Sequence, residues 1–241
     1  MRIRRGRLIA LEGGSASGKT TLMRVAARTF GWRPLPEAFD RLDPAPSLEF
    51  DSPRELLRLE GTLIAEEVRR YEEARRLCER GITVIADTGF LGPLTYTFGL
   101  IELGQAPAST GRSLARSVRS LLRRGTLGVP DLTVYLHTTA AERRRRALSG
   151  ARRHSTALFP RHEAVGAIER TYFEEVFPAG LPDRFRVLRA DSRPSVLARR
   201  LQSLAEGTGL VPASRADGLS VVARLPLPAR KDRRTEVGPN R

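Results

Sequence analysis

Two rhythms of apolar and polar positions alternate along the chain: short continuous apolar runs, and longer stretches with apolar residues three and four apart. Leu8-Ile9-Ala10-Leu11 is a short apolar strand and Thr21 to Ala27 opens a helix, so a first strand-loop-helix unit runs from Arg7 to Phe30. A second strand is predicted within Arg33 to Phe39. Ser52-Pro53-Arg54-Glu55 then supplies an N-cap, a first-turn proline and a capping-box glutamate. Leu56, Leu59, Leu63, Ile64, Val68, Tyr71, Ala74 and Leu77 follow at helical spacing until Gly81, with Glu66/Arg70 and Glu72/Arg76 as i,i+4 pairs.

Ile82 to Asp87 is a continuous apolar strand ending in a carboxylate. Thr88 to Leu103 reads as a turn and helix, Arg112 to Arg124 as a helix, and Pro130 to His137 as a fourth strand. Thr139-Ala140-Ala141-Glu142 is another capping box. After a basic loop at 149–160 come a helix from Arg161 to Phe177, a fifth strand from Phe185 to Leu188 and a helix from Pro194 to Ala205. This alternation predicts the α/β class, with a five-stranded parallel sheet between two helical layers. Residues 1–206 form that unit. From 207 to 241, Pro212, Pro226, Pro228 and Pro239 among scattered charges predict a basic, flexible or loosely packed tail.

At 241 residues the chain suits one sizeable α/β domain. The single cysteine, Cys78, excludes an internal disulfide and points to a reducing, cytoplasmic setting; a zinc site finds no support. No apolar run approaches the roughly twenty residues of a membrane span, and Met1-Arg2-Ile3-Arg4-Arg5 leads into the first strand without a signal-type segment. The net charge is +15, and all but Lys19 and Lys231 of the 42 basic residues are arginine. Such charge admits a nucleic-acid partner, although near-exclusive arginine use also fits a coding bias. The excess is local: residues 112–153 carry eleven arginines against Asp131 and Glu142, whereas Pro53 to Arg80 balances seven glutamates with seven arginines.

The chemistry starts at Gly13-Gly14-Ser15-Ala16-Ser17-Gly18-Lys19-Thr20, which fits G-x-x-x-x-G-K-[ST] between a strand and a helix. Glycines let backbone N–H groups curl round an anion, Lys19 reaches the β- and γ-phosphates, and the Thr20 hydroxyl ligates Mg²⁺. The helix opening at Lys19, with Thr21 in its first turn, aims its positive end at the same phosphates. ATP and Mg²⁺ are the cofactors this implies. A guanine-reading Asn-Lys-x-Asp signature is excluded, because the sole asparagine is Asn240.

Phosphoryl transfer also needs an orienting carboxylate and mobile cations. Asp87, at a strand tip, stands where a parallel sheet presents groups to the crevice; it holds Mg²⁺, touches the acceptor, or simply caps a helix. Glu37 is positioned to take a proton from a substrate hydroxyl, the alternative being a solvated loop carboxylate. Arg143, Arg146, Arg152 and Arg153 flank the loop after the fourth strand and form a candidate lid over the triphosphate, spanning about 143–160. Phe39, Phe90 and Tyr96 are candidates to line an acceptor pocket, while His137, His154 and His162 lack metal-site or dyad spacing.

On these residues the chain resembles the P-loop nucleoside and nucleotide kinases, especially thymidylate kinases and deoxynucleoside kinases, over roughly residues 7 to 206. Leu11-Glu12-Gly13-Gly14 through Thr21 is similar to the thymidylate kinase opening, Val84 to Asp87 to its carboxylate-bearing strand, and Tyr135-Leu136 with Arg143 and Arg146 to its pre-lid segment. Pro36-Glu37 resembles the deoxynucleoside kinase segment whose Glu serves as base. The resemblance implies a P-loop fold, Glu37 as base and Asp87 as a metal or substrate contact. Thr88-Gly89 stands where those families have Arg or Arg-Ser, and Pro36-Glu37-Ala38-Phe39 replaces an Arg- and Gly-rich acceptor-phosphate signature. The expected reaction is phosphoryl transfer from ATP to a small-molecule acceptor, a nucleoside or nucleoside monophosphate. The alternatives are a nucleic-acid-binding P-loop ATPase or regulatory protein, or a kinase of another hydroxylated small molecule or of a nucleic-acid end; a homodimer is left open.

Overall fold

Every residue of the run Leu8–Glu12 is buried, the signature of a strand covered on both faces. In the computed structural model, which describes residues 5–47, 49–149, 159–179, 181–207 and 213–223, this run is β1, the middle of a five-stranded sheet. The others are β2 (Arg33–Leu35), β3 (Val84–Asp87), β4 (Leu132–His137) and β5 (Phe185–Arg189). All pairings are parallel, in the order β2-β3-β1-β4-β5. Successive side chains enter opposite layers. Ile9, Leu11, Ile85, Val134 and Leu136 pack with Leu22, Met23, Leu197 and Leu201 of α1 (Lys19–Phe30) and α7 (Pro194–Gly207). Leu8, Val84 and Ala86 pack instead against Ala74 and Cys78 of α2 (Pro53–Glu79). The larger core lies on that second side, where α3 (Leu91–Glu102), α4 (Ala108–Arg124), α6 (Phe159–Thr171) and a π-helical turn at Tyr172–Val176 surround Phe90, Leu94, Phe98 and Phe177. The helix α5 (Ala140–Ser149) leads into the segment 150–158, outside the described residues.

Local signals act as read. The Ser52 hydroxyl accepts from Glu55 N–H at 3.2 Å, and Thr139 accepts from Glu142 N–H at 3.3 Å. β3 begins two residues later than the apolar run, because Ile82 N–H bonds back to Leu77 and Gly81, at φ +86°, completes the α2 terminus.

Two expectations need correction. Glu66 and Arg70 do not pair: Glu66 binds Arg41 and Arg69, while Arg70, 1 % exposed, turns inward to Glu67. The chain after Gly207 is also not loose throughout. Arg215–Ala223 forms α8, which buries Val221 and Val222 in the larger core and pairs Asp217 with Arg184 at 2.8 Å. Asp131 secures it, accepting from Ala213 N–H with one oxygen and from Leu8 N–H with the other. Scattered prolines and charges masked this short apolar patch; residues 224–241 lie outside the described residues.

Candidate active site

Between β1 and α1 the chain folds into a cradle for an anion. Gly13 adopts φ +141°, and a Cβ there would stand 2.9 Å from the Leu136 carbonyl, so the position requires glycine. Ser17 N–H closes the loop on the Gly14 carbonyl, and Gly18 at φ +103° precedes α1 without any side-chain cap. The first-turn N–H groups of α1 therefore face the loop without a capping side chain. Lys19 Nζ donates to the carbonyls of Gly13 at 2.6 Å and Gly14 at 3.5 Å.

The sheet register sets the second half of the site. Asp87 pairs beside Leu11, and its Oδ2 accepts from Thr20 Oγ1 at 2.5 Å, while its buried Oδ1 has no partner. Thr88 is held at φ +63°, a left-handed position costly for a β-branched residue, by Thr88 N–H to Leu11 and Gly89 N–H to Glu12 Oε1. Arg70 fixes the strand ends from beneath: besides Glu67, its Nη2 donates to the carbonyls of Leu35, Asp87 and Thr88. One buried guanidinium thus positions the segments that carry both Glu37 and Asp87.

These groups line one cavity of about 670 Å³, together with Ser15, Ala16, Thr21 and Phe39. Phe90 packs in the core instead. Arg146 reaches the cavity too, donating to the Ser17 carbonyl at 2.7 Å and to Glu142. The half-buried Glu142 is held at about 2 by hydrogen bonds from Arg145 and Arg146. Arg143 is buried against the loop: a Cβ on Gly14 would overlap its Nη1, and one on Gly166 would come within 2.8 Å of it. That Nη1 has no hydrogen-bond partner. Arg152 and Arg153 lie outside the described residues. The orphaned Asp87 Oδ1, the adjacent Thr20 hydroxyl, the uncapped helix and the unpartnered Arg143 Nη1 fit a nucleotide with Mg²⁺; no three His, Cys, Asp or Glu among the described residues form a metal site by themselves.

Carboxyl groups crowd the cavity. Glu37 is half-buried, and loss of water raises its pKa against the pull of Lys19, with Asp87 adding to the rise. Burial lifts Glu12 well above the carboxylate range. It pushes Glu60 up to about 8, with the charge of Glu169 adding to the shift. Glu67 is pushed to about 7 despite Arg70, and Glu169 to about 7 despite Lys19 and Arg143. Glu60, Glu67 and Glu169 were given no site role from the sequence. Their signal is phase: Glu60 lies one turn from both Leu56 and Ile64, and Glu169 one turn from both Val165 and Phe173.

This is the fold of the P-loop nucleoside and nucleotide kinases. Among solved structures, the chain is similar to deoxyadenosine kinase from M. mycoides with bound dATP, at 15% identity over 81% of this chain and 97% of that one, with a TM-score of 0.66. The same enzyme with products dCMP and dCDP gives 13% identity, 83% and 99% coverage and 0.62. Thymidylate kinase from Candida albicans gives 17%, 84% and 92%, and 0.59. No protein-family model and no curated protein matches the chain.

Proposed function

We propose that the protein transfers the γ-phosphoryl group of ATP, with Mg²⁺, to a hydroxyl of a nucleoside-sized acceptor. The observation that carries this reading is the single cavity in which the Gly13–Thr20 loop, Glu37 and Asp87 meet. Backbone N–H groups of the loop and the first turn of α1 bind the phosphates, and Lys19 exchanges its loop carbonyls for phosphate oxygens. Thr20 and Asp87 would hold Mg²⁺, which supplies charge neutralisation on the phosphates. Glu37 accepts the acceptor proton as the new O–P bond forms and the bond to the β-phosphate oxygen breaks, releasing ADP. Arg143 and Arg146, with Arg152 and Arg153 from the following segment, neutralise the transferring oxygens and exclude water. The structural neighbours, kinases of deoxyadenosine and thymidylate by their descriptions, support this chemistry through their fold.

The rival, a nucleic-acid-stimulated ATPase, draws on the exposed Arg116, Arg123 and Arg124 of α4. Nearer the site the basic excess is already engaged, Arg144 by Glu163 and Arg145 by Glu142. The test is γ-labelled ATP with Mg²⁺ against nucleosides, nucleoside monophosphates, other alcohols and oligonucleotides. Label on a small acceptor is expected. Label released only as free phosphate, rising with nucleic acid, would replace the proposal by its rival.

A further inference from the structure

The wall of the cavity built by α2, α3 and α6 carries a buried carboxyl group with an oxygen that has no partner. Glu60 is 2 % exposed, lines the cavity, and its Oε2 has no hydrogen-bond partner. It stands among Leu59, Leu63, Pro93 and Tyr96, with Glu169 across the cavity raising its pKa further. No cation is among the groups that shift Glu60: Lys19 and Arg143 act on Glu169 instead, and the Nη1 atoms of Arg143 and Arg161 are buried without a hydrogen-bond partner. Arg70 is bound to Glu67 and three carbonyls, Arg146 to Glu142 and Ser17, and Lys19 to the phosphate loop. Arg161 lies over the Phe50 ring at 5.0 Å and bonds to Tyr96, and burial keeps His162 below the usual imidazole range, so it stays neutral.

A lone buried carboxyl group is a costly choice of side chain. If the occupant of this wall brought only hydroxyl or amide groups, glutamine at 60 would offer the same donor and acceptor pattern without desolvating an ionisable group. Two carboxyls facing one cavity gain from a ligand that carries positive charge, because the cation then supplies both the hydrogen bonds and the neutralising charge. An acceptor bearing a phosphate meets the opposite situation: Glu12, Glu37, Glu60, Glu67, Asp87 and Glu169 all line the space it would enter. The Tyr96 and Phe173 rings give the same wall faces suited to the apolar and cationic parts of such a molecule.

We propose, resting on the kinase reading above, that the acceptor is a hydroxylated amine, cationic at neutral pH, whose ammonium group is held by Glu60 and Glu169 while its hydroxyl meets Glu37. Glu60 and Glu169 are specificity residues in this arrangement. Phosphate-bearing acceptors are disfavoured, because their negative charge opposes ionisation of the same carboxyls.

The experiment uses the full chain, γ-labelled ATP and matched acceptors that differ in one amine: adenosine against 3′-amino-3′-deoxyadenosine, and glucose against glucosamine, with kanamycin and thymidine monophosphate as cationic and anionic extremes. The expected result is kcat/KM for the better amine at least about tenfold above its neutral partner, no labelling of thymidine monophosphate, and loss of the amine preference in Glu60→Gln or Glu169→Gln. Thermal melting and ATP binding of both variants establish that they fold. Equal or better transfer to the neutral partners, transfer to thymidine monophosphate, or an amine preference unchanged in both folded variants overturns the inference and leaves the kinase reading standing. No transfer to any acceptor, from protein that binds ATP, overturns both.

Discussion

Thr20 Oγ1 and Asp87 Oδ2 lie 2.5 Å apart, joining the end of the phosphate loop to the tip of the neighbouring strand. The two residues are 67 positions apart in the chain, and the parallel register of β1 and β3 makes them neighbours. With Oδ1 of Asp87 left unpartnered, the pair offers two oxygens beside the Gly13–Thr20 loop. Asp87→Asn keeps the hydrogen bond to Thr20 within reach and removes the charge. It is expected to lower kcat about a hundredfold or more, with a raised Mg²⁺ requirement in a titration at fixed ATP. Full activity at ordinary Mg²⁺ would assign Asp87 a purely structural role.

Lys19 is tethered to the carbonyls of Gly13 and Gly14, so the loop has a preformed shape before any phosphate arrives. Lys19→Ala is expected to lower phosphoryl transfer by about a thousandfold or more, while circular dichroism and melting stay close to the parent protein. Wild-type turnover in that variant would remove the phosphate-loop mechanism.

As the proposed base, Glu37 must be ionised, and burial lifts its pKa above the usual carboxylate value. The acid limb of the kcat/KM profile is therefore expected above the ordinary glutamate range, with activity rising as pH increases through it. Glu37→Gln removes this limb and lowers kcat by about a hundredfold, with ATP affinity little changed. An unchanged rate and an unchanged limb would move the base to another group.

Arg70 is a staple rather than a surface partner. Its guanidinium serves Glu67 and the carbonyls of Leu35, Asp87 and Thr88, so Arg70→Met strands a buried carboxyl group and leaves three carbonyls at two strand ends without their donor. The expected loss is about 3–5 kcal/mol, read by denaturant unfolding. A change below about 1 kcal/mol, ordinary for a surface substitution, would contradict the staple.

Glu60 makes stability fall with pH. Its folded pKa, about 8, lies above the unfolded value of 4.5 because burial disfavours the charged form. The contribution is fully present below pH 4.5 and is lost as pH rises through 8. Glu60→Gln in the unliganded protein is accordingly expected to melt higher than the parent at pH 8, by about 2–4 °C for each kcal/mol recovered, with the gap closing near pH 5. A gap that is independent of pH would show Glu60 to be solvated.

The layered architecture was legible because its signals are local. A continuous apolar run ending in Glu12 and Asp87, caps at Ser52 and Thr139, and glycines at turns each act within a few residues. The loop from Gly13 to Thr20 was legible for the same reason. Glu60, Arg70 and Glu169 were not, since a charged residue on an apolar helical stripe reads as an isolated exception until the opposite helix is known. The seven-by-seven balance of charges from Pro53 to Arg80 invited pairing along the helix surface, yet Arg70 answers to strand ends far from it in sequence. The helix α8 escaped because nine residues with two valines give a weak period, and the trough that receives them is made by Leu122 and other distant residues.

Asp131 gives the molecule an order of completion. Its two oxygens accept from Leu8 N–H, 123 residues before it, and from Ala213 N–H, 82 residues after it. In the order of synthesis, Leu8 and Asp131 are both present 82 residues before Ala213 is made. The clasp stays half-made until α8 arrives, so the last described helix serves as the closing latch of a sheet whose first strand was laid down at the start.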